Sequence, residues 1–247
     1  GHVFLGANVP FGHIQAGPTQ KKQGWDWCSG YHYSDSIIIG FGQLHLSGTG
    51  IGDLGDIALL PVTKSDVREV KFSHKAEYAT PGYYAVTLAN GVRVELTATQ
   101  RTAFHRYTFP TDARQEQVVV DLAQGVGWDK MTACTLQQEG QNTIVGSRFS
   151  TGWAKDQRVF FVAEFSQPIT HRTKEGDSLS VLSFEPTGQP LMVKVGISSV
   201  SIDNARLNLQ QESPGWNFKT MVIEAKFAWN KELEKVAIET DNATDKR

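Results

Sequence analysis

Tyr83-Tyr84-Ala85-Val86-Thr87-Leu88-Ala89-Asn90-Gly91-Val92-Arg93-Val94-Glu95-Leu96-Thr97-Ala98-Thr99 is the stretch that decides the fold. Val92, Val94, Leu96 and Ala98 alternate with Arg93, Glu95, Thr97 and Thr99, the two-residue period of a strand with one buried face. Asn90-Gly91, between this run and Tyr83–Ala89, is the strongest short hairpin signal a sequence offers. Outward from this hairpin, strands are expected at Ile37–Phe41, Ile57–Val62, Glu69–Ala79, Ala103–Phe109, Gln117–Leu122 and Met131–Glu139. More follow at Asn142–Phe149, Arg158–Phe165, Leu179–Phe184 and Leu191–Ile197. Lys174-Glu175-Gly176-Asp177 and Thr187-Gly188-Gln189-Pro190 read as polar turns between them. Gly1–Gln20 reads as a strand with turns, its apolar piece at Val9–Ile14. Many short strands with regular turn signals predict a mainly β protein, a large antiparallel β-sandwich.

The character changes after Ile197. Ser201–Gln211 predicts a helix with Ile202, Ala205 and Leu209 on one face, stopped at Ser213-Pro214-Gly215. Asn217 is a candidate N-cap for a second helix over Phe218–Lys235. Its apolar residues Phe218, Met221, Val222, Ala225, Ala228, Trp229 and Leu233 recur at three- and four-residue steps, so the helix has a face for the sandwich or for a further domain.

The chain has 247 residues, 40% hydrophobic and 20% charged, ordinary values for a globular protein. A formal net charge of -2 gives no sign of a nucleic-acid partner. No apolar run approaches the roughly 20 residues that cross a bilayer. Cys28 and Cys134 are compatible with one disulfide or two separate thiols, and neither lies in a CxxC pattern.

The least periodic stretch, Gly24–Asp56, is the richest in chemistry. It holds Trp25, Trp27, Tyr31, Tyr33, His32, His45, Asp26, Asp35, Asp53 and Asp56 among many glycines. Aromatic platforms beside short polar side chains suit a small polyol with apolar ring faces, so the stretch is read as one wall of a sugar site. Trp25, Asp26, Trp27, His32, Asp35 and His45 are the candidate sugar-binding residues. The competing roles are core packing for the indoles and internal hydrogen bonds for Asp26, His32 and His45. Asp53 and Asp56, flanking Leu54-Gly55, either tie down the turn or offer oxygens to Ca²⁺. Gly50–Gly55 formally matches GxGxxG but precedes a strand-like run, so a dinucleotide site is rejected.

Gly24-Trp-Asp-Trp-Cys-Ser-Gly-Tyr-His-Tyr-Ser-Asp35 followed by His45-Leu-Ser-Gly-Thr-Gly50 resembles the N-terminal domain of glycoside hydrolase family 92, bacterial α-mannosidases. Gly6–Gly12, Lys194–Val200 and Ala205–Leu209 extend the likeness over nearly the whole chain. The resemblance implies a supersandwich of the galactose-mutarotase type over residues 1–199 and a helical linker over 200–247 leading to an (α/α)₆ barrel. It implies exo-acting, inverting hydrolysis of α-linked mannosides of N-glycan or mannan type. Ca²⁺ and the catalytic carboxylates would belong to the barrel, so no catalytic or metal residue is expected in this chain, which alone would be inactive. It also implies a periplasmic or cell-surface location. The alternative is a stand-alone carbohydrate-binding or purely structural sandwich. One departure stands out: the family commonly has Ser-His-Thr-His-Leu where this chain has Gly42-Gln43-Leu44-His45-Leu46, so the first imidazole is replaced by Gln43.

Overall fold

The computed structural model describes residues 1–48, 50–237, 239–242 and 244. Among the described residues, thirteen strands form one antiparallel path that turns over on itself into two layers, and a fourteenth pairs beside it. The first layer holds β1 (Gly17–Gln20), β2 (Ile37–Gly42), β3 (Ala58–Val62), β8 (Glu116–Asp121), β12 (His171–Glu175) and β13 (Leu179–Phe184). The second runs through β4 (Val70–Thr80), β5 (Tyr83–Leu88), β6 (Arg93–Ala98), β7 (Thr102–Thr108) and β14 (Leu191–Ser198). It ends with β11 (Gln157–Phe165), β10 (Thr143–Thr151) and β9 (Lys130–Glu139). β4 is the hinge between layers: Val70 and Lys71 pair with β2, and from Phe72 onward the strand pairs with β5, with an irregularity between Phe72 and Glu77. Such a break in register lets a strand bend and twist away from its first partner.

The alternation around the Asn90-Gly91 turn places Val94 and Leu96 in the core and Arg93 in solvent, but the other face is not open as expected: Glu95 and Thr97 are buried too. Gly91 N–H bonds Leu88 O at 2.9 Å and Asn90 Oδ1 accepts from Val92 N–H at 3.1 Å. Gly91 takes φ +83°, a conformation that suits glycine at little cost. One core joins both layers, with Leu59, Val118, Val120 and Leu182 from the first and Tyr84, Val86, Phe161 and Val193 from the second.

Two expectations are corrected. Val9–Ile14 is not a strand; the pairing segment is Gly17–Gln20, preceded by a single bridge between Ala7 and Ala16. The polar turn expected from Lys174 begins later, because His171–Glu175 is an edge strand on β13. Its side chains, Lys174 and Glu175 among them, are mostly exposed, which removes the apolar alternation that reveals a strand and protects the edge from further pairing.

Helix α1 (Ile202–Glu212) starts at Ser201, whose hydroxyl accepts from Asn204 N–H at 3.1 Å. Ala205 and Leu209 bury against Val145 and Val162. The helix lies close because Gly196 is beneath it: a Cβ there would stand 2.4 Å from Ala205 O and 2.7 Å from Leu209 Cβ. Helix α2 (Phe218–Leu233) is capped by Asn217, which accepts from Thr220 N–H at 3.1 Å. Phe218, Met221 and Ala225 are buried, and Trp229 Nε1 donates to Asn8 O at 2.9 Å. Ile223, Phe227 and Leu233 remain exposed. Both cysteines are free thiols. No helix among the described residues is long and apolar enough to cross a membrane.

Candidate functional site

The irregular stretch Gly24–Asp56 meets two other loops at one end of the sandwich. Trp128 N–H donates to Gly52 O at 3.2 Å and Val126 N–H to Leu54 O at 3.1 Å, so residues 126–128 run alongside residues 52–54. Asp53, itself buried, accepts from Trp153 N–H at 3.2 Å and Ala154 N–H at 3.0 Å, hooking the β10–β11 turn to the same point. Backbone strain concentrates there. Leu54 at φ +74° and Ile57 at φ +58° occupy the left-handed region, which costs a branched side chain about 1–3 kcal/mol and gathers at functional sites.

Trp25 and Trp27 lie on a single 3₁₀ turn and point to different environments. Trp25 is 59% exposed, its edge braced by His2 at a ring separation of 3.9 Å. Trp27 is buried between the His32 ring at 4.4 Å and Lys22 Nζ at 4.2 Å from its centroid, and is a strut rather than a platform. Asp26 presents a carboxylate to solvent, 63% exposed, with His2 Nε2 at 3.9 Å. His32 is half-buried, its Nδ1 accepting from Ser34 N–H at 3.2 Å and 2.8 Å from Ser34 Oγ. The carboxylate of Asp35 is spent on the loop: it accepts from Ser36 and Ile37 N–H at 2.7 and 3.2 Å and from Lys22 N–H at 3.3 Å.

His45 lies beneath the wall, not on it. Its ring is 3.0 Å from Thr19 Oγ1 and 2.8 Å from Gln15 O, and burial pushes its pKa down to about 4. Gly30 rests directly on this ring, since a Cβ at position 30 would come within 2.6 Å of His45 Cδ2. Gln43 also faces inward. Its amide donates to Phe41 O and Ile57 O at 2.9 and 3.1 Å, and its carbonyl accepts from His105 Nε2 at 2.8 Å. Tyr107 completes the chain at 2.8 Å from His105 Nδ1, and burial holds His105 neutral with a pKa near 3. Gln43, where the resemblance implies an imidazole, is thus a buried core position.

Under the three loops lies a buried ionic trio. Arg148 Nη1 is 2.6 Å from Asp56 Oδ1 and 2.5 Å from Asp129 Oδ2, and its Nε donates to Leu122 O at 2.8 Å. One guanidinium cannot neutralise two buried carboxylates. Burial pushes the Asp56 pKa up to about 7 against the pull of Arg148, with Asp129 and Asp53 adding to the rise. The Asp53/Asp56 alternatives thus resolve toward structure: Asp53 anchors a neighbouring turn and Asp56 belongs to the trio. Calcium does not fit these residues. Among the described residues no group of three or more His, Cys, Asp or Glu side chains is disposed around a common point, and these carboxylates already face amides and a guanidinium.

Two exposed aromatics escaped sequence reasoning. Trp128 and Trp153 are 42% and 76% exposed and flank the same loop as Trp25. Their signal is a repeated dipeptide: Gly24-Trp25, Gly127-Trp128, Gly152-Trp153 and Gly215-Trp216 account for four of the six tryptophans.

Residues 1–198 match the glycosyl hydrolase family 92 N-terminal domain and residues 204–247 match the family 92 catalytic domain. The chain superposes on a family 92 α-mannosidase of Bacteroides thetaiotaomicron with a TM-score of 0.90 at 31% identity, covering 98% of this chain and 37% of that one. A family 92 inverting mannosidase of the same organism gives 0.83 at 28% identity, covering 98% and 35%. An uncharacterized secreted glycosidase of Arthroderma benhamiae is 26% identical over 99% of this chain and 38% of its own length. The chain thus spans little more than a third of the relatives it matches. By its sequence match and its fold, this chain belongs to glycosyl hydrolase family 92.

Proposed function

We propose that this chain is the N-terminal, non-catalytic part of an exo-acting, inverting, calcium-dependent α-mannosidase. Residues 1–199 form the sandwich, and residues 200–247 lead to an (α/α)₆ barrel that supplies the acid, the base and the calcium ligands. The observation that carries this reading is the Trp25–Asp26 pair. An exposed indole and an exposed carboxylate stand beside strained loops, in a fold shared with α-mannosidases, one of them solved with mannoimidazole. Trp25 would cover an apolar face of a mannose ring and Asp26 would accept from its hydroxyls. His32 lies behind them. Trp27, Asp35 and His45 hold the loop in shape, so their effect on substrate passes through Trp25 and Asp26.

Inversion needs two carboxyl groups roughly 6.5–9.5 Å apart, an acid on the leaving oxygen and a base on water. Neither is assigned to this chain, whose part is to orient the sugar and exclude water. The exposed apolar residues of α2, Ile223, Phe227 and Leu233, favour a connector over a stand-alone module. The setting proposed is a bacterial periplasm or cell surface, in keeping with a relative described as secreted.

The test is proton NMR of α-1,2-mannobiose hydrolysis by the natural full-length polypeptide. β-Mannose as the first product, lost on chelation and restored by Ca²⁺, supports the reading. α-Mannose first, or no hydrolysis of any α-mannoside, overturns it.

A further inference from the structure

Four consecutive residues, 50–53, are a common floor for three exposed indoles. A Cβ on Gly50 would come within 3.3 Å of Trp25 Nε1, and one on Gly52 within 2.8 Å of Trp128 Cγ, so both rings lie flush on bare backbone. Trp153 is tethered to the next residue by its own N–H bond to Asp53.

The surroundings of these rings separate a ligand surface from a protein interface. Exposed residues close to them in sequence include Gln23, Asp26, Lys130, Lys155 and Asp156, all polar. A protein-docking patch has a desolvated apolar centre depleted in charge. The indoles are instead set singly among polar groups. Flat amphipathic rings isolated among hydrogen-bonding groups match the alternating apolar faces and hydroxyl rims of linked sugars.

We propose that Trp128 and Trp153 are specificity-determining residues that hold the sugars on the leaving-group side of the scissile bond. They give the enzyme a preference for α-linked manno-oligosaccharides over single-sugar substrates. The inference rests on the reading of Trp25 as part of a mannoside site and extends that site along the 50–53 loop. Trp25 takes the reacting end, Trp128 the next part of the chain, and Trp153 the most exposed end. Asp53 is the positioning residue for the last of these.

The experiment uses the natural full-length polypeptide and two substrates: an α-linked mannotriose, and α-mannosyl fluoride, whose leaving group is too small to reach past the reacting sugar. The expected result for the Trp128→Ala/Trp153→Ala double variant is a loss of about tenfold in kcat/KM on mannotriose, with α-mannosyl fluoride within about twofold of wild type. Trp153→Ala alone, whose side chain has little packing to lose, should show part of the loss, and Trp153→Tyr should recover most of it. Equal losses on both substrates mean that the indoles serve folding or domain packing and overturn the proposal, as does no loss on either. A wild-type enzyme that cleaves neither substrate instead overturns the mannosidase reading, and this inference with it.

Discussion

The hairpin block β5–β7 and the loop cluster over Gly24–Asp56 are built from similar side chains and use them in opposite ways. In the hairpins, aromatic rings go inward and their polar ends are satisfied there. Tyr84 donates to Glu77 at 2.6 Å, and Tyr107 lies 2.8 Å from His105. Tyr83 donates to Glu95 at 2.6 Å, and Glu95 also holds Arg106. In the loops, Trp25, Trp128 and Trp153 face outward on glycine-backed turns, and the polar groups beneath them are occupied with holding backbone. Register assigns each strand residue its neighbours. A loop residue gets its neighbours from other loops distant in sequence, and that freedom allows a surface to be shaped for a ligand.

The largest effect expected from breaking this contrast is at the seam between the two regions. Arg148→Met leaves Asp56 and Asp129 buried without a cation, which costs about 3–5 kcal/mol by chemical denaturation. Adding Asp56→Asn and Asp129→Asn should recover most of it. The same trio sets a pH dependence. The folded pKa of Asp56 is raised to about 7 from 3.8, so the folded state retains a proton that the unfolded chain has released between these values. The group's contribution to stability falls as pH climbs from about 3.8 to about 7 and is flat above that. His45 acts in the opposite sense. Its folded pKa of about 4 lies below the ordinary 6.5, so its contribution is lost as pH falls through that window. The difference between wild type and Asp56→Asn across pH 4–8 isolates the carboxylate; a flat difference would contradict the assignment.

Next in size is a cavity in the hairpin block. Leu96 is fully buried between Tyr84 and His105 on neighbouring strands, and Leu96→Ala should cost about 3 kcal/mol. The comparison predicts little change in kcat/KM at temperatures where the variant stays folded. A smaller effect is expected in the loops. Gly52→Ala places a methyl 2.8 Å from the Trp128 ring, which must tilt away. A loss of about 1 kcal/mol and a shift in tryptophan emission are expected, and an unchanged spectrum would show that the ring does not rest on this backbone.

What the chain's own residues disclosed follows the same division. Strands were readable because the core imposes apolar residues at alternate positions such as Val92, Val94, Leu96 and Ala98, although β6 buries Glu95 and Thr97 on its other face as well. The helix faces were readable because Ala205, Leu209 and Met221 must meet the sandwich. β12 was hidden because both its faces are polar at a sheet edge. The site was legible only as a region. Nothing in its local sequence says that Trp25 faces out while Trp27, two residues on, is clamped between His32 and Lys22. The inward turn of His45 depends on Thr19 and Gln15, 26 and 30 residues away. Trp128 and Trp153 join the surface through contacts spanning 76 residues or more.

The most direct test of the central claim, that the loop cluster serves a sugar and not the fold, is Trp25→Ala in the full-length polypeptide, with stability and kcat/KM on α-1,2-mannobiose measured together. The account predicts stability within about 0.5 kcal/mol of wild type and a loss of about tenfold in kcat/KM. A clear loss of stability with kcat/KM unchanged would contradict it.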